Sequence, residues 1–315
     1  MKRLISDVLP EPVKARLRPY LDQWKARKLA ATTKRVDICA TQLAHVLSLA
    51  DCPPLAGSTC LEIGSGWVLS HAIVCHLLGA KRILASDIAP IAHPEYLSVA
   101  IGRCIPSVVR DILSPYEEHG LLRSRLQHLR SIRHFDFEVL RELGIEYVAP
   151  VDIAKQPLGV PFDFVYSNSV LEHVPCEDVP ALLDNLLRDL SPGGTMIHSI
   201  HLEDHYDIDD HPFDFLSLSK NAYPRWRQTN TGNRIRASAW DQFFRKIGNS
   251  QSRFIYSFSR ADVDLPRHID ESIEYRDELD LRTTHLGVLT KKDGQAAFTR
   301  PRREAQLQST GLPAN

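Results

Sequence analysis

Between residues 60 and 67 the chain reads Cys60-Leu61-Glu62-Ile63-Gly64-Ser65-Gly66-Trp67. A short apolar run ends in an acid, and two glycines follow, two residues apart. A second apolar run, Arg82-Ile83-Leu84-Ala85-Ser86, ends in Asp87. A glycine turn after the first strand of an α/β sheet lets a ligand come close to the backbone. An acid closing the next strand can accept hydrogen bonds from both hydroxyls of a ribose. The pair restricts the chain to an α/β sheet and points to an adenosine-containing ligand.

The remaining pattern supports strands alternating with helices. Helical spacing over 36–50 is broken by Pro53-Pro54, and strands are expected near 59–63, 82–87, 145–149, 162–166, 195–200, 254–258 and 284–290. Helices are expected near 69–79, 177–190 and 238–247, the second closed by Ser191-Pro192-Gly193-Gly194. Residues 90–143 exceed a crossover helix and read as a helical insertion after strand two. The expected fold is therefore α/β: a doubly wound, mostly parallel, seven-stranded sheet of Rossmann-like type. It spans 51–290, preceded by a basic helical segment, 1–50, and followed by a disordered tail, 291–315.

Charge and cysteine usage narrow the partners. The net charge of −1 gives no general attraction to nucleic acid, so none is expected as a partner. Residues 1–35 carry ten Lys/Arg against Asp7, Glu11 and Asp22. This reads as a solvated helix, with peripheral membrane contact through that basic surface as the other reading. The cysteines (39, 52, 60, 75, 104 and 176) form no Cys-x-x-Cys pair. They suit free thiols in a reducing cytoplasm, which is the expected location. No signal-peptide or membrane-span pattern is expected.

A dinucleotide fingerprint would place a glycine at 69, where the chain has Leu69, and no phosphate-binding Gly-Lys-Ser/Thr follows. None of the nine tyrosines has a lysine four residues on, as a short-chain dehydrogenase would. The ordered set of motifs instead resembles the class I S-adenosylmethionine-dependent methyltransferases, type 11 in particular. Leu61 to Gly66 resembles the first motif, and Asp87 stands where the ribose-binding acid stands. Val151-Asp152-Ile153 resembles the acidic step beside the adenine. Phe162 through Ser167-Asn168-Ser169-Val170-Leu171-Glu172-His173-Val174 looks like the fourth-strand motif, and Leu187 to Gly194 the turn before strand five. The resemblance covers about 58–200. It departs at Val68, where many members have a third glycine, and at the long 90–143 insertion.

The resemblance implies S-adenosyl-L-methionine as cofactor and Glu62, Gly64, Ser65, Gly66, Asp87, Asp152, Ile153, Asn168 and Ser169 as its binding set. Glu62 would orient the turn or bind the ammonium group. Asp152 and the Ile153 amide would meet the adenine. Two rivals stand beside a methyltransferase: a non-catalytic cofactor-binding protein, and a nicotinamide-dependent oxidoreductase.

The acceptor side is expected along strand five and beyond it. Histidines and acids crowd His198-Ser199-Ile200-His201-Leu202-Glu203-Asp204-His205. Strand alternation puts His198 with Ile200 and Ser199 with His201. His173, His201 and His205 are candidate bases and Asp204 an orienting acid, suited to O-methylation of a small or medium polar acceptor such as a sugar or glycan precursor. The spacing fits no defined metal motif, so no metal is expected. Downstream, Tyr223-Pro224-Arg225-Trp226-Arg227 and Arg234 and Arg236 are candidates for stacking and anion binding.

Overall fold

The computed structural model describes residues 11–205, 208–224 and 231–294, with side chains from Tyr20 onward. Alternating apolar runs form strands β1 (Thr59–Ile63), β2 (Arg82–Ser86), β3 (Ile145–Val148), β4 (Phe162–Asn168), β5 (Leu190–His201), β6 (Ser250–Ser259) and β7 (Thr283–Lys292). They lie in one sheet in the order β3-β2-β1-β4-β5-β7-β6. All pairs are parallel except those made by β7, which runs antiparallel to β5 and β6. The expected mostly parallel, seven-stranded, doubly wound sheet is the one observed.

Successive side chains of a strand face opposite ways, so each strand feeds two cores. Cys60, Ile83, Ala85 and Tyr166 pack on one face with α2 (Val36–Ala50) and α3 (Ser70–Leu77). Leu61, Ile63, Leu84 and Val165 pack on the other with α8 (Val179–Asp189) and α9 (Ala237–Lys246). The insertion between β2 and β3 is helical as expected: α4 (Leu97–Gly102), α5 (Pro106–Leu113), α6 (Leu122–Ser131) and α7 (Phe137–Glu142). Leu97, Val109, Leu113, Leu126 and Leu140 join the first core, so these helices enlarge one layer of the domain.

Two boundaries differ from expectation. The segment over 36–50 belongs to the domain: Cys39, Leu43, Val46 and Leu47 of α2 are core residues. Preceding it, α1 (Glu11–Ala31) buries Ala26 and Ala30. The expected tail starts too early, because β7 continues through Lys292, whose Nζ donates to the carbonyls of Leu187 and Leu190. The rest of that expectation, from 295 on, lies outside the described residues. The polar stretch after β5 hides a third small core of Phe213, Phe215, Leu216, Tyr223, Ile273 and Leu281. It is joined to the sheet by Arg236, fully buried, which donates to the carbonyls of Leu202 (2.8 Å) and Leu281 (3.0 Å) and to that of Thr283. Among the described residues no helix is long and apolar enough to cross a membrane. The cysteines are free thiols.

One polar pair lies inside the first core. Glu62 on β1 faces α3, where His71 Nδ1 stands 3.5 Å from its carboxylate. The other ring nitrogen of His71 is 3.0 Å from Gln42 Oε1. A doubly protonated ring donates to both. Burial alone would lower the pKa of His71, but Cys39 and Glu62 outweigh it and hold it up at about 9. A folded-state value above the unfolded value near 6.5 stabilises the fold fully below pH 6.5, and the effect is lost as pH rises through 9. We expect the wild type to exceed H71Q in stability by about 3 kcal/mol at pH 6, with the gap closing by pH 10. Urea unfolding of both proteins across that range checks it; a gap independent of pH would show that His71 is neutral in the fold.

Candidate active site

The chain passes outward from β1 to β3 and returns to β4 on the other side of β1. Open α/β sheets hold their ligands where the strand order reverses in this way, at the carboxyl ends of the strands. A cavity of about 860 Å³ opens there, within the range of roughly 300–1,000 Å³ of small-molecule sites. It is walled by the turns after β1 (Gly64, Trp67), β2 (Asp87, Ile88, Ile91), β3 (Asp152, Ile153), β4 (Ser169, Val170, His173) and β5 (His205), and by Lys25 of α1.

The glycine turn is held from below. Ser65 turns inward, its N–H (3.0 Å) and hydroxyl (3.3 Å) both donating to the Ser86 carbonyl. Asp87 is buried, and burial raises its pKa although three backbone amides pull the other way. Its Oδ2 accepts from Gly66 N–H at 2.9 Å and its Oδ1 from Ala89 N–H at 3.1 Å. Each oxygen keeps a second lone pair for a hydroxyl in the cavity. Tyr147 fixes the next loop, accepting from the amides of Ile91 (3.1 Å) and Ala92 (3.3 Å) and donating to Ala89 O.

Among the nine expected cofactor residues, the cavity wall includes Gly64, Asp87, Asp152, Ile153 and Ser169. Asp152 accepts from Ala154 N–H (3.1 Å) and pairs with Lys155 (3.1 Å), which keeps its carboxylate at the rim. Ser169 sits at φ 56, which turns the chain out of β4. Glu62, Ser65, Gly66 and Asn168 do not line the wall. Glu62 has its side chain on the α3 side, its Oε2 buried and its other oxygen 3.5 Å from His71 Nδ1. Ser65 and Gly66 shape the turn through the bonds to Ser86 and Asp87. Asn168 is the last residue of β4.

The expected convergence of His201, Asp204 and His205 is corrected. Only His205 reaches the cavity, where it meets His173 edge-to-face at 4.7 Å between ring centroids. His201 stacks behind His205 (4.6 Å), away from the wall, and against His285 of β7 (4.3 Å). The acid on His201 is Glu203, at 2.9 Å, and not Asp204, whose N–H bonds Pro212 O. Burial and the neighbouring histidines push His205 down to about 3, so the ring stays neutral and is a weak base. His198 faces Phe244 on the second core and bonds Ser167 Oγ at 2.8 Å, as alternation required.

Arg234 and Arg236 are also corrected. Arg236 serves the backbone carbonyls named above. Arg234 donates to the Leu218 carbonyl and lies over the Tyr223 ring, 4.3 Å from its centroid. Neither is presented to an anion in the cavity. Arg225, Trp226 and Arg227 lie outside the described residues. Sequence reasoning missed Lys25, whose Nζ sits 4.7 Å over the Trp67 ring, and the buried Glu172. Lys25 lay in the basic N-terminal run, and Glu172 is adjacent to His173; each needed the fold to give it a neighbour.

The family described as a methyltransferase domain matches residues 35–249. The chain belongs to this family. It carries a methyltransferase domain. No curated protein matches. Similar solved structures include a candidate O-methyltransferase from Nostoc punctiforme (14% identity, 85% of this chain and 60% of that chain, TM-score 0.45). An S-adenosylmethionine-dependent methyltransferase from Mesorhizobium loti matches at 18% identity over 80% of this chain and 98% of that one, TM-score 0.42. Haemonchus contortus phosphoethanolamine N-methyltransferase 1 matches at 16% over 90% and 50%, TM-score 0.42. The chain thus spans less than two thirds of the Nostoc and Haemonchus proteins.

The donor set suits the cofactor. The free lone pairs of Asp87 fit the ribose diol, Asp152 and Ile153 the adenine, and Gly64 allows close approach of the amino acid end. A Cβ at Gly64 would also stand 2.5 Å from Val170 Cγ2, at φ +64. At Gly66, φ +67, the nearest atom would be 3.9 Å away. A side chain at 64 therefore disturbs the fold as well as the ligand space. We expect G66A to cost about 1 kcal/mol of backbone strain, and G64A a further 1–3 kcal/mol or so from the clash. S-adenosylhomocysteine affinity should fall most in G64A. Chemical unfolding and calorimetry check both; equal losses in the two variants would refute this account of the turn.

Proposed function

We propose that this methyltransferase acts on the hydroxyl of a small or medium polar acceptor, with a sugar or glycan precursor as the first class to test. S-adenosylmethionine supplies the methyl group as an electrophile. The rest of the reaction requires that the acceptor oxygen be held in line and lose its proton. The observation that carries the reading is the pair of imidazoles, His173 and His205, on the cavity wall. His205 is neutral, and among the described residues no hydrogen bond reaches its Nε2. That nitrogen is buried beside Glu172, so the ring orients the acceptor by packing against it and not by accepting its proton. The depressed pKa makes that orientation, more than full proton removal, the contribution of the ring itself.

Pro175 and Asp178 of the β4–α8 connection and Leu182 of α8 also wall the cavity, giving apolar surface with one carboxylate at the edge. Such a wall suits a polyhydroxylated molecule presenting one face to carbon and one hydroxyl to the imidazoles. Turnover should be assayed as S-adenosylhomocysteine release over panels of hydroxyl, amine and carboxylate acceptors. The best substrate should be a hydroxyl compound. H205A should lower its turnover by about a hundredfold, with S-adenosylmethionine affinity within about twofold of wild type. An amine as best substrate, or turnover unchanged in H205A, would overturn the proposal.

A further inference from the structure

We propose that Glu172, His173 and His205 form a divalent transition-metal site on the wall of the cofactor cavity. The inference deepens the hydroxyl reading given above, on which its chemical role rests. One ligand atom from each residue lies within 4.8 Å of the others. Glu172 Oε1 is 3.7 Å from His205 Nε2. Two ligands of a tetrahedral ion with bonds of 2.0–2.1 Å stand about 3.4 Å apart, so small side-chain rotations bring the three onto one centre.

The buried carboxylate is the independent observation. Glu172 is 1% exposed, and among the described residues no hydrogen bond reaches either of its oxygens. A buried carboxylate without a partner is costly unless something satisfies it.

The surroundings favour this group over its neighbour. His201, Glu203 and His285 also lie close enough to hold an ion. There, however, Glu203 Oε2 already accepts from His201 at 2.9 Å, and Arg260 stands 3.7 Å from Oε1. That carboxylate has its cation. Among the described residues Glu172 has no Lys or Arg paired with it, and His201 stacked on His205 holds the ligand ring in place as an outer partner would.

Two imidazoles and one carboxylate with open positions suit zinc, iron or manganese, whereas magnesium prefers oxygen alone. His173 and His205 line the cavity, so an ion held by them would lie beside the acceptor space. A hydroxyl bound there is acidified, and its proton passes to solvent water.

The test uses untagged, EDTA-treated full-length protein titrated with Co2+ alone. One equivalent should bind and give visible d–d absorption, displaced by Zn2+ and not by Mg2+. E172Q and H205A should weaken that binding by about a hundredfold or more, while H285A keeps it. Calorimetry with S-adenosylhomocysteine shows that each variant is folded, without reference to activity. No absorption in the wild type, displacement by Mg2+ as readily as by Zn2+, or equal uptake by E172Q and wild type would overturn the proposal. Metal uptake is read without any acceptor, so its failure is distinct from a failure of the hydroxyl reading.

Discussion

The site depends on one carboxylate spanning two turns. Asp87 accepts from Gly66 after β1 and from Ala89 after β2, so its two oxygens set the distance between the loops that make the cavity floor. The register follows from the strands: Ile63 pairs with Ser86, which brings both turns to the same height on the sheet. Ser65 reinforces the arrangement through the Ser86 carbonyl. Asp87 also lines the cavity, where each of its oxygens has a lone pair beyond the one its amide uses.

Much of this was legible in residue order. Strand alternation and the Gly64/Gly66 turn placed the sheet and the carboxyl-edge site with Asp87, because each depends on local pattern, while Asp152, Ile153 and Ser169 of the wall came from the family resemblance. Leu69 shows where such reading runs short. The absence of glycine there argued against a dinucleotide fingerprint, yet Leu69 itself takes the left-handed conformation, φ 59, at the start of α3. A buried leucine can be held there by packing, so residue type alone does not reveal the backbone.

What was not legible depends on contacts between distant segments. His285 meets His201 because β7 runs antiparallel to β5 with those two residues in register, which no local pattern encodes. Arg234 and Arg236 resembled anion binders until the fold gave them backbone carbonyls to satisfy. The polar composition of 201–236 concealed the core around Phe213 and Tyr223, whose apolar partners Ile273 and Leu281 lie far along the chain. Lys25 enters the cavity wall only because α1 packs beside the turn carrying Trp67.

The central claim is that the β1 turn and Asp87 hold S-adenosylmethionine. Isothermal calorimetry of wild type and D87A with S-adenosylmethionine and NAD addresses it most directly. The account requires saturable S-adenosylmethionine binding, negligible NAD binding, and a loss of about 1–3 kcal/mol in D87A from the unpaired ribose hydroxyls. NAD binding tighter than S-adenosylmethionine, or D87A binding like wild type, would contradict it.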